Sequence, residues 1–351
     1  MAALTKTRFI TLTNERLHFS LPQQMCNFTD SFFDSQYFLK WSSHIVSFVG
    51  TPINFFGFYI ILFKTPSVMK SAKWIILNLH CWATLIDIII NICVIPYFIP
   101  PVPAGIPLGF FTNLGVPPLV QSHLVICGCA TGSVSIIVFF ENRYDVLVIG
   151  QVRYKYRNQI RISLFCCLYL ISSTFLLPFY FTVPDRQQAI EFAKTILPCL
   201  PDTIYNDPSF AVLTTDVSKF INSFALVLII FATPIIYFTI LTAITITKLP
   251  ATSIKNKSWQ KTFFIALCIQ GSVPMIIVVV PHLYLLYSLK TGYFNQGFNN
   301  IAVVTISCHG FISTLVMLLI HKPYRDAVKR LIRLDMSHKK IVNVEETTDN
   351  N

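Results

Sequence analysis

The sequence predicts an all-α membrane protein: a seven-transmembrane helix bundle, amino terminus outside, carboxyl tail inside, with a short amphipathic helix after the seventh span. Three observations carry this. Hydrophobic residues make up 54% of the chain and charged residues 12%, about half the charged fraction of a soluble globule. The apolar residues fall in long runs near 44–63, 74–98, 117–140, 162–183, 217–246, 262–289 and 298–320. Each run has about 20 residues or more, enough at about 1.5 Å per residue to cross a hydrocarbon layer of roughly 30 Å. Finally, Lys and Arg are gathered on alternate connections. The resulting division is 1–42 as an outer amino-terminal segment, 43–320 as the bundle, 321–336 as a membrane-surface helix and 337–351 as a disordered inner tail.

The charge asymmetry sets the orientation. One side holds Lys64, Lys70 and Lys73, then Arg143, Arg153, Lys155, Arg157 and Arg161, then Lys248, Lys255, Lys257 and Lys261, then the basic tail. The loops of the other side hold only Arg186, Lys194 and Lys290. Asn27, in the sequon Asn27-Phe28-Thr29, agrees as a glycosylation site if the amino terminus is outside. The first residues lack the apolar core of a cleavable signal, and Met25 offers a second start. The net charge of +11 belongs to the connections and lacks the aromatic-interleaved patch of a nucleic-acid site, so no nucleic acid is expected.

The third run is expected to be the central helix. It has no Asp, Glu, Lys or Arg from Pro117 to Phe140 and is rich in Gly128, Ala130, Thr131, Gly132, Ser133 and Ser135; small residues let helix backbones approach where lipid surrounds the bundle. It ends in Glu141-Asn142-Arg143-Tyr144. One reading is an ordinary charged helix end; the other is a switch. In the switch, Glu141 and Arg143 pair in one state, and Arg143, with Tyr144 beside it, is released to a partner in another. Asp87 is the one acid deep within a run, where an ionised carboxylate must find partners. Asn91, Ser133, Asn299 and His309 are candidates, either as a polar relay that can hold sodium or as plain interhelical glue. Pro96, Pro178, Pro234, Pro274 and Pro281 interrupt spans and bend helices, with Pro274 the preferred hinge.

Most of the ten cysteines sit inside apolar runs as small packing residues. Only Cys26 and Cys199 fall in loops, where they are bridged in an oxidising space or remain free thiols. No CxxC pair, HExxH, nucleophile elbow or phosphate loop occurs, and His80, His123 and His309 match no metal spacing. Neither an enzyme nor a metal or other cofactor is expected. The tail after span 7 places Tyr324, Ala327, Val328, Leu331 and Leu334 on one helical face, with Arg325, Lys329, Arg330 and Arg333 around it, as on an anionic leaflet.

Four pieces occur in order at the span ends: Lys64-Thr65-Pro66 with MKSAKW through Trp74, NLHCW at 78–82, FFENRY at 139–144, and HG, ST and HKPYR between His309 and Arg325. Together they resemble the nematode serpentine receptor class H chemoreceptors, over about residues 25–333. The resemblance implies a chemosensory receptor in the plasma membrane of sensory cilia, acting through a heterotrimeric G protein; the cysteines at Cys26 and Pro198-Cys199 also look like that family. The rhodopsin-like Cys-Trp-x-Pro, Asn-Pro-x-x-Tyr and span-3 cysteine are absent, so that family's activation details transfer poorly. A small-molecule ligand is expected between spans 2, 3, 5, 6 and 7. Candidate lining residues are Tyr97, Gln121, His123, Phe220, Asn222, His282, Tyr284 and Asn300, an aromatic and polar mix of the kind ligand cavities use. A transporter or ligand-gated channel is the alternative; it would ordinarily show internal repeats and broken midplane helices, and no paired short segments occur.

Overall fold

The computed structural model describes residues 28, 31–66, 70–148, 156–248 and 254–333. Among them, six single helices are long and apolar enough to cross a membrane: Gln36–Lys64, Ala72–Val94, Pro118–Val148, Arg157–Tyr180, Val217–Lys248 and Gln260–Thr291. Gln296–Ser307 and His309–Ile320 make a seventh span bent by 41° at its break. The chain is a multi-pass membrane protein. Exposed Phe48, Phe55 and Phe63 on the first span are the apolar surface such a bundle turns to lipid.

The third span is the innermost. In its most apolar window 61% of residues are buried, against 50% for the second span and 11% for the fifth, and it packs on the second, fourth and fifth spans. Small residues make this possible. A Cβ on Gly132 would lie 2.5 Å from Ile86 Cδ1, and Thr131 is hydrogen-bonded to Ser172 of the fourth span at 3.2 Å.

The second span is shorter than its apolar run suggests. Its α-helix gives way at Ile88 to a π-helical turn, Ile89–Val94, and Ile95 leaves it in the left-handed region at φ 45°. That conformation is strained for a β-branched residue. Pro96–Phe98 is then strand β1, not helix. It pairs antiparallel with β2, Ala104–Pro107, in the register Tyr97↔Ile106, and β2 pairs with β3, Ala211–Val212. A proline-rich apolar stretch cannot sustain a helix, because each Pro removes a donor and clashes with the preceding turn. The turn's carbonyls are taken instead by Leu108 N and Gly109 N, both on Val94 O. Gly109 has to be glycine, since a Cβ there would sit 2.5 Å from Cys93 O.

This three-stranded sheet is the middle of a cap at one end of the bundle, here the hairpin end. Leu39, Tyr97, Ile106, Ala193, Tyr205 and Val303 share its core, so the cap joins the start of span 1, the helix Arg186–Ile196 and the start of span 7. Asp185 caps that helix through Gln188 N at 2.9 Å. Ser35 caps the first span and Asn295 the seventh, the residue types expected there.

The other end, here the basic end, carries the tail helix, residues 322–333. Its apolar face is not left to a membrane surface alone. Tyr324 is fully buried, Ala327 nearly so, and both belong to the core formed by Ile60, Ile76, Phe139 and Met317. The sixth span is continuous helix through position 274. Cys26, Asn27 and the tail 337–351 lie outside the described residues, as do the last residues of the expected 321–336 helix.

Candidate ligand cavity and signalling face

Beneath the cap lies a cavity of about 70 Å³, room for several water-sized groups. Its walls come from span 2 and the hairpin (Ile90, Phe98), span 3 (Val125, Cys129), span 5 (Phe220, Phe224), span 6 (His282, Leu286) and span 7 (Val303, Ile306). These are the five spans expected to bound a ligand site. Of the eight candidate residues, however, only Phe220 and His282 line it. The other six have different work.

Tyr97 is 1% exposed and donates from its hydroxyl to Asp34 O at 2.8 Å. Burial, with the Asp34 charge behind it, pushes its phenol well above the ordinary range. Gln121 donates to Val116 O at 2.8 Å and so pins the turn that enters span 3. His123 sits beside Tyr180, ring centres 5.7 Å apart, toward span 4. Asn222 is exposed on the outer face of span 5. Tyr284 donates to Asn299 Oδ1 at 3.1 Å. Asn300 donates to Phe33 O at 2.8 Å and accepts from Gln296, clamping the segment before span 1. Polar residues near the hairpin end serve the backbone of the cap, which has many carbonyls to satisfy away from water; the cavity wall is hydrocarbon apart from His282 and Cys129 among the described residues.

Midway down, Asp87 joins spans 1, 2 and 7. It accepts from Asn54 Nδ2 at 3.2 Å and from Gly310 N at 3.1 Å, and lies 3.1 Å from His309 Nδ1. The bend of span 7 is explained here. Gly310 N leaves the helix ladder for the carboxylate, His309 Nδ1 occupies Ile306 O at 3.0 Å, and Asn91 Nδ2 takes Ser307 O at 3.1 Å. Asp87 and Asn91 of the second span, with His309 of the seventh, thus replace backbone bonds that the break forfeits. Gly310 cannot carry a Cβ, which would lie 2.2 Å from Asp87 Oδ2. Of the expected partners His309 touches Asp87; Asn91 binds the same break; Ser133 bonds its own helix at Cys129 O, and Asn299 is in the cap. Asn54, Thr314 and His80 complete the network: Thr314 donates to Asn54 Oδ1 at 2.7 Å, and His80 Nε2 meets Asn54 O at 2.9 Å. Asn54 is the amide inside an otherwise apolar first span, a signal visible in the sequence. A small pocket of about 10 Å³ adjoins Asp87, Thr84 and Asn91.

At the basic end Glu141, Arg143 and Asp145 are all buried, although they stand at a helix terminus. Glu141 does not meet Arg143. The two are two residues apart and face different neighbours. Arg161 of span 4 holds Glu141 bidentately at 2.7 and 2.8 Å and reaches Asp145 at 3.0 Å, while Arg157 pairs with Asp145 as well. Arg143 instead donates to Gln260 Oε1 of span 6, and Tyr144 lies against Phe238 of span 5, centres 6.1 Å apart. Nearby, His321 meets Gln270 Oε1 at 2.6 Å, and burial pushes its imidazole down to about 4. Thr65 and Tyr324, from the KTP and HKPYR pieces, are joined at 3.1 Å.

The bundle has seven spans, counting the bent pair as one, with a capped apolar cavity toward one end and buried Glu141, Arg143 and Asp145 at the other. The family model of the serpentine type 7TM GPCR chemoreceptor Srh matches residues 34–334, and the chain belongs to that family. It is similar to serpentine receptor class H-72 of Caenorhabditis elegans, 25% identical over 313 residues, covering 84% of this chain and 85% of that one. Residues of the four motif pieces make contacts across the bundle: His80 with Thr314 and Thr65 with Tyr324 join pieces to one another, while His309 and Gly310 meet Asp87, and Glu141 meets Arg161.

Proposed function

We propose that this receptor detects a small molecule from outside the cell in the cavity below the cap, and signals to a heterotrimeric G protein at the basic end. The observation that carries the reading is that spans 3 and 6 form walls of the cavity and are also the two spans joined by Arg143 and Gln260 at the far end. A ligand that binds one arrangement of these spans better than another shifts their equilibrium, and the Arg143–Gln260 contact is where that shift would expose a docking face.

The charge asymmetry supports an extracellular amino terminus and a cytosolic tail helix. In that orientation Asn27 is glycosylated, and the receptor works in the plasma membrane of sensory cilia in chemical sensing such as olfaction. Cys199 is disulfide-bonded, and the eight cysteines from Cys81 to Cys308 other than it are free thiols, which supports Cys26 as its partner. Asp87, Asn91 and His309 serve as the polar relay between the two ends.

The test is ligand-driven nucleotide exchange on a purified G protein by the reconstituted receptor. Arg143→Glu should abolish exchange while surface expression persists; exchange unchanged in that variant would refute coupling through Arg143. Solute flux across receptor liposomes, without exchange, would instead establish the channel reading.

A further inference from the structure

We infer that the cavity selects small, uncharged, mainly hydrocarbon molecules that carry one hydrogen-bond donor, such as an alcohol, and that His282 is the residue that reads that donor. This rests on the cavity being the ligand site proposed above and goes further by assigning the chemistry of the ligand.

Among the described residues His282 is the only lining residue whose side chain carries a nitrogen or oxygen; the rest are Ile, Val, Leu, Phe, Pro and one Cys. No cationic or acidic side chain among the described residues lines the cavity, so a ligand with a formal charge would lose its hydration without a counter-charge there. A hydroxyl-bearing hydrocarbon loses far less, provided its one polar group is met.

The orientation of the imidazole decides what it can meet. His282 Nδ1 lies 2.7 Å from Val278 O of its own helix. A carbonyl only accepts, so Nδ1 carries the proton. In the neutral ring Nε2 is then an acceptor, and it has no hydrogen-bond partner among the described residues. The ring is also fixed: it stacks on Phe224 with centres 6.0 Å apart and planes at 21°. An acceptor held in an apolar chamber favours ligand O–H or N–H. It offers nothing to a ketone or an ether, which can only accept as well. A polar mismatch of this kind discriminates more strongly than a change in hydrocarbon size.

The experiment uses the full-length receptor in lipid nanodiscs with cyclohexanol, cyclohexanone, methylcyclohexane and cyclohexylammonium as probes, binding being read from the ligand-dependent shift in thermal unfolding. Cyclohexanol should bind about tenfold more tightly than cyclohexanone, the effect of one hydrogen bond, and cyclohexylammonium should not bind. His282→Phe keeps the aromatic wall and should bring the alcohol and ketone affinities to within about twofold of each other. His282→Gln adds a donor and should recover ketone binding. Leu286→Trp fills the chamber and should weaken all neutral probes together, which separates binding there from partition into lipid.

Equal binding of alcohol and ketone, a preference that survives His282→Phe, or no saturable binding of any probe would overturn the assignment. If the probes fail while another ligand still drives nucleotide exchange, this inference falls and the receptor reading stands. If the alcohol preference is found without exchange, it is the coupling that falls.

Discussion

The two ends of this bundle are closed by different means. At the hairpin end, backbone closes it: a three-stranded sheet, a π-helical turn whose carbonyls are taken by Leu108 and Gly109, and an apolar core around Tyr97 and Tyr205. At the basic end, long side chains close it: Arg161 on Glu141 and Asp145, Arg143 on Gln260, His321 on Gln270. A backbone ladder with a packed core has one good arrangement, because cores are close-packed and lose energy with any void. Ion pairs and amides on flexible stems can take other partners, provided no buried charge is left unpaired. Under the proposed signalling, the chamber keeps its shape and the far end rearranges.

The comparison is most severely tested at Gly109, where the methyl of Ala would meet backbone and not a side chain that can swing away. Gly109→Ala should cost about 3 kcal/mol or more and remove most folded receptor. Gly128→Ala, with nothing within 4 Å, should stay within about 0.5 kcal/mol. Thermal unfolding in detergent measures both. If the two variants behave alike, the cap is softer than described.

Next in size is Arg161→Ala, which strips Glu141 of its bidentate partner. Glu141 is 4% exposed, so a largely buried carboxylate is left uncompensated. The expected loss is about 2–3 kcal/mol, reduced because the Arg161 side chain is itself 23% exposed. In contrast to Gly109→Ala, it should raise basal nucleotide exchange, because it releases the rearrangeable end and leaves the chamber intact. A variant that loses stability with silent basal exchange would break the distinction.

A pH scan sharpens it. His321 titrates near 4 in the folded protein and near 6.5 in an unfolded chain. Its contribution is therefore complete above about pH 6.5 and is lost as pH falls toward 4. Between pH 7 and 5 the loss should be about 2 kcal/mol. His321→Gln should flatten that part of the stability profile. An unchanged profile in the variant would mean that other groups set it.

The smallest effects come as a matched pair. Tyr97→Phe removes the bond to Asp34 O and Tyr324→Phe the bond to Thr65, each worth about 1 kcal/mol. Equal stability losses are expected, with basal exchange altered only in Tyr324→Phe.

Much of this was legible in the sequence, and the gaps have physical causes. Seven apolar runs, the small residues of the third span and the amphipathic tail follow from periodicity and composition, and the structure has each of them. The strand at Pro96–Phe98 was hidden because Pro-Tyr-Phe extends an apolar run without interrupting it, and a left-handed Ile95 leaves no mark in composition. Arg161 was read only as one more basic residue of a connection, because partner choice across 20 residues depends on helix phase. Asn222 was placed toward the chamber and faces outward for the same reason: hydrophobicity all round a helix gives no phase. Phe220 and His282 do line the cavity, on the outer halves of spans 5 and 6 where the sequence reading put them. Thr314 belongs to the ST piece, but Asn54 lies outside every motif piece, although a lone amide in hydrocarbon demands a partner as a charge does.

The stitch between Thr65 and Tyr324 joins positions 259 residues apart, and the links from Asn54 and Asp87 to Gly310 and Thr314 do the same one layer deeper. The earliest helix to leave the ribosome therefore meets its last neighbours only when synthesis is nearly over. Until then Asn54 and Asp87 have each other but lack Thr314 and the Gly310 amide, so a chain cut short before Gly310 would hold a carboxylate within lipid with only part of its hydrogen bonds.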